Sequence, residues 1–291
     1  AGFSPGESAE LAEQAYRNGA DLIEIPTHCP HMGEILMAMF PGMEYPEPKL
    51  TDFAPLQETV KTVKNTVPIP VIVKSSGSFS HITRLWARAV KESGADGIGC
   101  SDAFGPGLAI DINTGEPLLG GPRGVGGLTG PAIMPITLRM VLEIASETDL
   151  PIVGVGGISS TEDIVQYIMA GATLAGVCTA GHLAGPKRYT EIIRNLEKLV
   201  IKLGYSSLNE MRGLTLKRIE RRKINKKTAW TEPLVPAVNL DLCNGCGICE
   251  KVCAYGAAKV PNKADISPDS CIGCGLCVTA CPVGALSQRY Y

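Results

Sequence analysis

A run of four cysteines with fixed spacing occurs twice near the C-terminal end of the chain. The first copy has Cys243, Cys246, Cys249 and Cys253, and the second has Cys271, Cys274, Cys277 and Cys281. The two copies are offset by 28 residues (271 minus 243) and contain eight of the 11 cysteines. Thiols this crowded form either a disulfide scaffold or a metal site. The sequence therefore predicts a small domain organised around sulfur.

The context favours metal-bound thiolates over disulfides. No secretory signal is recognisable at the start of the sequence, so we expect a reducing, cytoplasmic location. The Cys-x2-Cys steps let three thiolates reach one face of an iron-sulfur cluster. Four-cysteine zinc sites use the same step. Two identical runs of four cysteines nevertheless favour two clusters over zinc.

Residues 239–289 resemble the two-cluster bacterial ferredoxins, in which the fourth cysteine of each run binds the other cluster. The resemblance implies two 4Fe–4S clusters, one bound by Cys243, Cys246, Cys249 and Cys281 and the other by Cys271, Cys274, Cys277 and Cys253. The second run carries the usual proline, Pro282, whereas the first has Ala254 at that position. We predict an electron-transferring ferredoxin domain at 239–291.

The overall composition excludes several other classes of protein. The 27 basic and 29 acidic residues give a net charge of -2, which argues against a general nucleic-acid or membrane-surface binder. A hydrophobic content of 45% is too high for a disordered chain. The longest apolar runs, such as 70–73 and 174–177, are far shorter than the ~20 residues of a membrane span. We expect a soluble protein.

A basic segment, predicted as a linker at 204–238, precedes the cysteine-rich domain. Between Arg212 and Lys227, eight basic residues accompany one acidic residue, Glu220. Such runs usually lie on the solvated surface. The alternative is a docking surface for an acidic partner subunit.

Residues 1–203 alternate short β-rich runs with longer amphipathic stretches, which is typical of a parallel sheet with helices outside it. Strands are predicted at 21–25, 70–74, 96–100, 151–155 and 174–178, and helices before the last four at 52–66, 79–93, 133–147 and 160–170. A closed (β/α)8 TIM barrel needs eight strands and typically ~250 residues. We therefore expect strands four to eight of a TIM barrel, with the first three missing from this sequence or replaced by another element.

Glycine-rich loops follow the last two predicted strands. Gly154–Ile158 leads into a helix, and Val177–Gly181 ends the next strand. Backbone amides at a helix N-terminus bind anions, and the loops after strands seven and eight are the frequent phosphate site of TIM barrels. The consecutive pair predicts a phosphorylated cofactor.

These loops and the segment Gly126–Ala132 resemble the FMN barrel of the dihydropyrimidine and dihydroorotate dehydrogenases. The order of barrel, linker and tandem ferredoxin is similar to dihydropyrimidine dehydrogenase, including the catalytic subunit of its bacterial two-subunit form. The resemblance implies that FMN is held by Lys74, Gly126, Gly127, Gly156, Gly157, Cys178, Thr179 and Ala180. It also implies a heteromeric or oligomeric assembly in which another subunit, carrying FAD or NAD(P)H, supplies electrons.

Cys29 aligns with the family cysteine that exchanges a proton with a substrate carbon while the flavin exchanges a hydride. A thiol suits this role because its pKa of about 8.5 is close to neutrality. The alternative is a buried, inert cysteine. His28, directly before it, is the second catalytic candidate because an adjacent imidazole can lower a thiol pKa. Lys74 is the third.

The substrate side departs from the pyrimidine-reducing members of the family. Pro26 replaces an asparagine, and Asp102-Ala103 replaces an Asn-Thr pair. Proline offers no side-chain hydrogen bond and an ionised aspartate only accepts, so discrimination for a pyrimidine falls by ~10⁴-fold. We predict a different small alkene or its saturated product, with His31, Ser101 and Asp102 as candidate contacts. The alternative is an electron-transfer or scaffold subunit whose barrel has lost its chemistry.

Overall fold

The structure is a computed structural model of the chain and describes residues 2, 4–27, 40, 42, 51–221 and 233–288. The chain forms two compact units, Ala1–Arg218 and Ile219–Tyr291. The division falls inside the segment predicted as a linker. None of the described helices is long and apolar enough to cross a membrane.

The first unit is organised around a parallel sheet of five strands. These are β1 (Ile23–Pro26), β2 (Val71–Lys74), β3 (Gly97–Cys100), β6 (Ile152–Val155) and β7 (Leu174–Gly176), in the order β1-β2-β3-β6-β7. All five predicted strands are confirmed, with bounds within two residues of the predicted ones. In the described residues the sheet does not close into a barrel. The α/β class and the parallel order match the prediction.

Nine described α-helices accompany this sheet, and most of them pack in one core with its strands. They are α1 (Pro5–Arg17), α2 (Ala54–Thr66), α3 (Thr83–Glu92), α4 (Met134–Glu147), α5 (Thr161–Ala170), α6 (Thr179–Ala184), α7 (Lys187–Lys202), α8 (Leu208–Met211) and α9 (Leu214–Arg221), the last crossing the boundary between the units. The Ser4 hydroxyl accepts a hydrogen bond of 3.2 Å from the Glu7 amide and caps α1 as the sequence predicts. Alternate strand residues, such as Val73 and Ile98, are fully buried with Trp86 and Tyr167 in a single core.

The opposite face of the sheet carries the other set of alternating side chains. Glu24 on β1, Lys74 on β2 and Leu174 on β7 belong to it, and Leu174 is 61% exposed. In a TIM barrel this face lines the interior. Polar residues on this face are therefore candidates for the site.

A hairpin that the sequence did not predict follows β3. Strand β4 (Phe104–Leu108) pairs antiparallel with β5 (Val125–Leu128), and an isolated bridge joins Ile110 to Pro117 between them. Because β4 contains Pro106 and two glycines, its sequence is typical of a turn rather than a strand. The extended conformation of β4 is therefore stabilised by its hydrogen bonds with β5 and not by the strand preference of its own residues.

The second unit repeats one small motif. It contains β8 (Ala237–Val238), α10 (Ile248–Val252), β9 (Ala258–Lys259), β10 (Asp265–Ile266), α11 (Leu276–Thr279) and β11 (Leu286–Ser287). Strand β8 pairs antiparallel with β11, and β9 pairs antiparallel with β10. Helices α10 and α11 each follow a left-handed glycine, Gly247 at φ 75° and Gly275 at φ 77°. The 28-residue sequence repeat is therefore also a structural repeat.

Candidate functional site

Chemically useful residues of the first unit gather at one edge of its sheet. The strands are parallel, so the segments that follow their carboxyl ends lie at a common edge. Lys74 ends β2, Asp102 follows β3, Gly156 follows β6 and Thr179 comes shortly after β7. The structure thus places Lys74, Asp102 and the loops after β6 and β7 at the edge where α/β enzymes bind ligands.

Three of the loops are in direct contact. A β-carbon on Gly157 would lie 2.8 Å from the Gly130 carbonyl oxygen, and one on Gly130 would lie 3.2 Å from the Thr179 γ-methyl carbon. The loop after β6, the loop after β7 and the segment 126–132 therefore converge. This convergence brings together Gly157 and Thr179, two of the residues predicted to bind FMN.

At positions 126 and 127 a side chain would collide with other residues of the chain. A β-carbon on Gly127 would lie 2.8 Å from the Ala103 β-carbon, and one on Gly126 would lie 3.1 Å from a Leu119 methyl carbon. The prediction assigned these glycines to close approach of the backbone to a flavin. Both contacts are within the chain, and the approach of a flavin to these glycines stays a prediction.

The start of α5 is a poorer anion site than the sequence suggests. The Asp163 carboxylate accepts hydrogen bonds from the Ser159 amide at 2.8 Å and the Ser160 amide at 2.9 Å. Glu162 adds a second carboxylate to the first turn. The Asp163 carboxylate therefore occupies the two amides just before the helix, and the acidic first turn repels anions. Donors for a phosphate on this side must come from the preceding glycines, 156 and 157.

The loop after β7 is better suited to bind a phosphate. The amides of Thr179 and Ala180 begin α6 and so have no acceptor within the helix, and the first turn carries no acidic residue. Arg188 brings a cation to the neighbouring loop, where its Nη2 donates to the Ser159 carbonyl at 2.7 Å. The residues at 156–157 and 179–180 therefore fit the phosphate group of FMN.

Gly157 should be intolerant of any side chain. Its φ is +79°, and a β-carbon would lie 2.7 Å from the Met134 β-carbon. We expect Gly157→Ala to lower the free energy of unfolding by about 1–3 kcal/mol, measured by denaturant titration. Gly120→Ala is the matched control because a β-carbon there meets nothing within 4 Å. Equal stability of the two variants would contradict the contact.

Lys74 lies on the sheet face opposite the buried core, together with Glu24. Its Nζ is 3.8 Å from Oε2 of Glu24, and its carbonyl accepts a hydrogen bond of 2.7 Å from the Thr27 hydroxyl. Glu24 was not among the predicted site residues. The signal was present in the sequence, because Glu24 is a charged residue between two isoleucines of a strand.

The two residues predicted after β3 have different surroundings. Ser101 is buried, and its hydroxyl donates to the Asp102 carbonyl at 3.1 Å and lies 3.5 Å from the Thr137 hydroxyl. Asp102 is half-buried, and its amide donates to the Ser75 carbonyl at 3.1 Å. The Ser101 hydroxyl is therefore engaged within the protein, whereas Asp102 is the more accessible of the pair.

Two cysteines of the first unit differ sharply. Cys100 is fully buried, and this burial raises the pKa of its thiol to about 12, which agrees with a structural role. Cys178 is exposed, with its Sγ 3.7 Å from Nδ1 of His182. The sequence predicted no role for His182. His28, Cys29 and His31 lie outside the residues that the structure describes.

The cysteines of the second unit line two separate cavities. One is lined by Cys243, Cys246, Cys249 and Cys281, and the other by Cys253, Cys271, Cys274 and Cys277. Each cavity thus combines three cysteines of one run with the fourth of the other. This is the combination that the ferredoxin resemblance implies for two clusters. Both cavities fit a ligand set of four thiolates.

Backbone amides stabilise thiolates around these cavities. Cys243 accepts a hydrogen bond from the Ala264 amide at 3.3 Å, and this bond lowers the pKa of the Cys243 thiol below its ordinary value. The amides of Ala258 and of residues 255–257 likewise lower the pKa of the Cys253 thiol. Among the described side chains, no three metal-binding groups are close enough to share a single ion. Cluster ligands bind different iron atoms, so they need no such convergence.

The sequence profile of the dihydroorotate dehydrogenase family matches residues 41–200, which is more than half of the 291 residues. The chain belongs to the dihydroorotate dehydrogenase family. Profiles of 4Fe–4S binding domains also match residues 235–258 and 264–287, one for each cysteine run. These matches confirm the predicted cofactors, FMN and two 4Fe–4S clusters. They also place the chain in a family of oxidoreductases that act on CH–CH bonds, the predicted class.

The chain is similar to the catalytic subunit of dihydroorotate dehydrogenase B (NAD(+)) from several organisms. It is 35% identical to that of Methanothermobacter thermautotrophicus over 213 residues, 37% to that of Pyrococcus horikoshii over 216 and 36% to that of Desulforamulus reducens over 208. These alignments cover 72–74% of this chain and 63–66% of the relatives. The chain therefore spans slightly less than two thirds of their length. These relatives are named as dihydroorotate dehydrogenases, so they support that part of the predicted resemblance and not the finer resemblance to dihydropyrimidine dehydrogenase.

Proposed function

We propose that this protein transfers electrons between two 4Fe–4S clusters and an FMN that oxidises or reduces a CH–CH bond of a small substrate. The convergence of three loops at the edge of the sheet where β2 ends with Lys74 supports the flavin part of the proposal. The domain limits proposed are 1–203 for the flavin barrel, 204–238 for the linker and 239–291 for the ferredoxin.

The FMN phosphate would be held by the amides at 156–157 and 179–180, next to Cys178. Lys74 and the loop containing Gly126 and Gly127 would contact the ring system. When bound, FMN supplies the hydride acceptor or donor that no amino-acid side chain provides. The ammonium group of Lys74 would favour the negative charge that a flavin gains on reduction.

Cys29 would exchange the proton that accompanies hydride transfer. It lies two residues beyond Thr27, whose hydroxyl is bonded to the carbonyl of Lys74. The chain therefore leads to Cys29 from the edge of the sheet where Lys74 lies. His28 would assist by favouring the thiolate.

The eight cysteines of the second unit would hold the clusters in the two sets that line its cavities. Electrons would pass between these clusters and a partner subunit that carries FAD or NAD(P)H. The relatives support this part, because their names describe a catalytic subunit of an NAD(+)-dependent enzyme. The basic residues of segment 212–227, of which 222–227 lie outside the described residues, would attract an acidic partner by their charge.

We propose a substrate other than uracil, thymine or orotate. Pro26 ends β1 directly opposite Lys74 in the parallel register, so a residue without a hydrogen-bonding side chain lies beside the proposed flavin contact. Asp102 is accessible at the same edge but is a carboxylate. Together they cannot offer the paired donor and acceptor that a pyrimidine imide needs. Asp102 and His31 would contact a substrate with hydrogen-bond donors, and the predicted contact from Ser101 would require its hydroxyl to leave the Asp102 carbonyl.

The test is to reconstitute the protein anaerobically, measure released FMN and follow flavin bleaching with a panel of substrates. We expect about one FMN per chain. We expect neither dihydroorotate nor dihydrouracil to reduce it at a rate typical of the family. Bleaching at such a rate would refute the substrate proposal alone. Absence of FMN would favour the alternative, an electron-transfer subunit that keeps only the clusters.

A further inference from the structure

Glu24 places a carboxylate on the inner face of the sheet, in a strand whose other residues are Ile23, Ile25 and Pro26. Its Oε2 lies 3.8 Å from Nζ of Lys74, and the two side chains are 39% and 31% exposed. An ion pair this exposed contributes little to stability. The position of Glu24 therefore calls for a reason other than folding.

Strand β3, which lies on the far side of β2 from Glu24, leaves room for its carboxylate. A β-carbon on Gly99 would lie 2.5 Å from Oε1 of Glu24 and 3.6 Å from Cγ of Lys74. Gly99 is directly opposite Lys74 in the register of β2 and β3. Its φ lies outside the left-handed region, so its backbone does not require glycine. The carboxylate of Glu24 thus reaches across β2 and occupies space that the absent side chain provides.

We propose that Glu24 is a positioning residue that sets the flavin midpoint potential through Lys74. Its carboxylate holds the lysine ammonium on the inner face and reduces the positive charge that Lys74 presents to the flavin. A flavin gains negative charge on reduction, so the cation favours the reduced form and a nearby anion opposes it. This inference rests on the proposed function, in which Lys74 contacts FMN.

Glu24→Gln tests the proposal because it removes the charge and keeps the size. We expect reduced flavin to gain about tenfold in affinity relative to oxidised flavin, a rise of about 30 mV in the two-electron midpoint potential. Gly99→Ala should raise the potential in the same direction, because it displaces the carboxylate and leaves residue 24 unchanged. Lys74→Met should lower it. Glu10→Gln, on the exposed side of α1, is the matched control and should leave it unchanged.

The measurements are a spectroscopic redox titration against a reference dye and the dissociation constant of oxidised FMN. If Glu24 only supported the fold, its replacement would weaken the binding of oxidised and reduced FMN equally and leave the midpoint potential unchanged. That result, or a lower potential in Glu24→Gln, would overturn the inference and leave the proposed function intact. Failure of the wild-type protein to bind FMN would instead overturn both.

Discussion

Replacing Cys281 by alanine should remove the cluster of the first cysteine run, although Cys281 belongs to the second. Its side chain lines the cavity that also contains Cys243, Cys246 and Cys249. A cubane cluster that loses one of four thiolate ligands is released or degraded, so iron should fall from about eight to about four per chain. Electron transfer from an external donor to the flavin should be lost, because one of the two clusters is gone.

The comparison that identifies the ligand sets uses four single variants. Cys281→Ala and Cys246→Ala should leave the same cluster, and therefore the same EPR spectrum of the reduced protein. Cys253→Ala and Cys274→Ala should share a different one, because these residues line the second cavity. Cys178→Ala, outside both cavities, should retain full iron. If Cys281→Ala grouped with Cys274→Ala instead, each run would bind its own cluster and the crossed arrangement would be wrong.

The ligand sets could be predicted because the repeated cysteine runs resemble the two-cluster ferredoxins, in which the fourth cysteine of each run binds the other cluster. Two runs offset by 28 residues can fold as two copies of one motif, and Gly247 and Gly275 indeed have the same backbone conformation before their helices. The five strands were equally accessible to prediction, because each is a short apolar run next to a helical pattern. The β4–β5 hairpin was not, since its order comes from pairing over about 20 residues rather than from local preference.

The site was less predictable than the fold because its groups meet across strands. Nothing in the sequence around Glu24 indicates that its carboxylate lies over Gly99, 75 residues further along the chain (99 minus 24). The start of α5 was hard to judge for a different reason. The Asp163 carboxylate takes the amides of Ser159 and Ser160, so a phosphate there depends on the preceding glycines, 156 and 157.

Cys29→Ala should have the largest effect on the chemical step. If Cys29 exchanges the substrate proton, its loss should slow flavin reduction by substrate by about 10²–10⁴-fold. The measurement is anaerobic stopped-flow bleaching of the flavin with whichever compound of the panel reduces the wild-type protein. Reduction by dithionite, which needs no proton exchange with a substrate carbon, should be unchanged in the same preparation.

The pH dependence separates a catalytic thiol from an inert one. In the oxidative direction the thiolate accepts the proton, so the rate of flavin reduction should rise with pH up to the thiol pKa and then level off. Cys29→Ser should flatten this profile, because a serine hydroxyl does not ionise in the accessible range and is a much poorer base. His28→Ala should move the inflection to higher pH if the imidazole favours the thiolate. A Cys29→Ala variant with the wild-type rate and profile would show that another group carries the proton, and Asp102, half-buried at the same edge of the sheet, would be the next residue to replace.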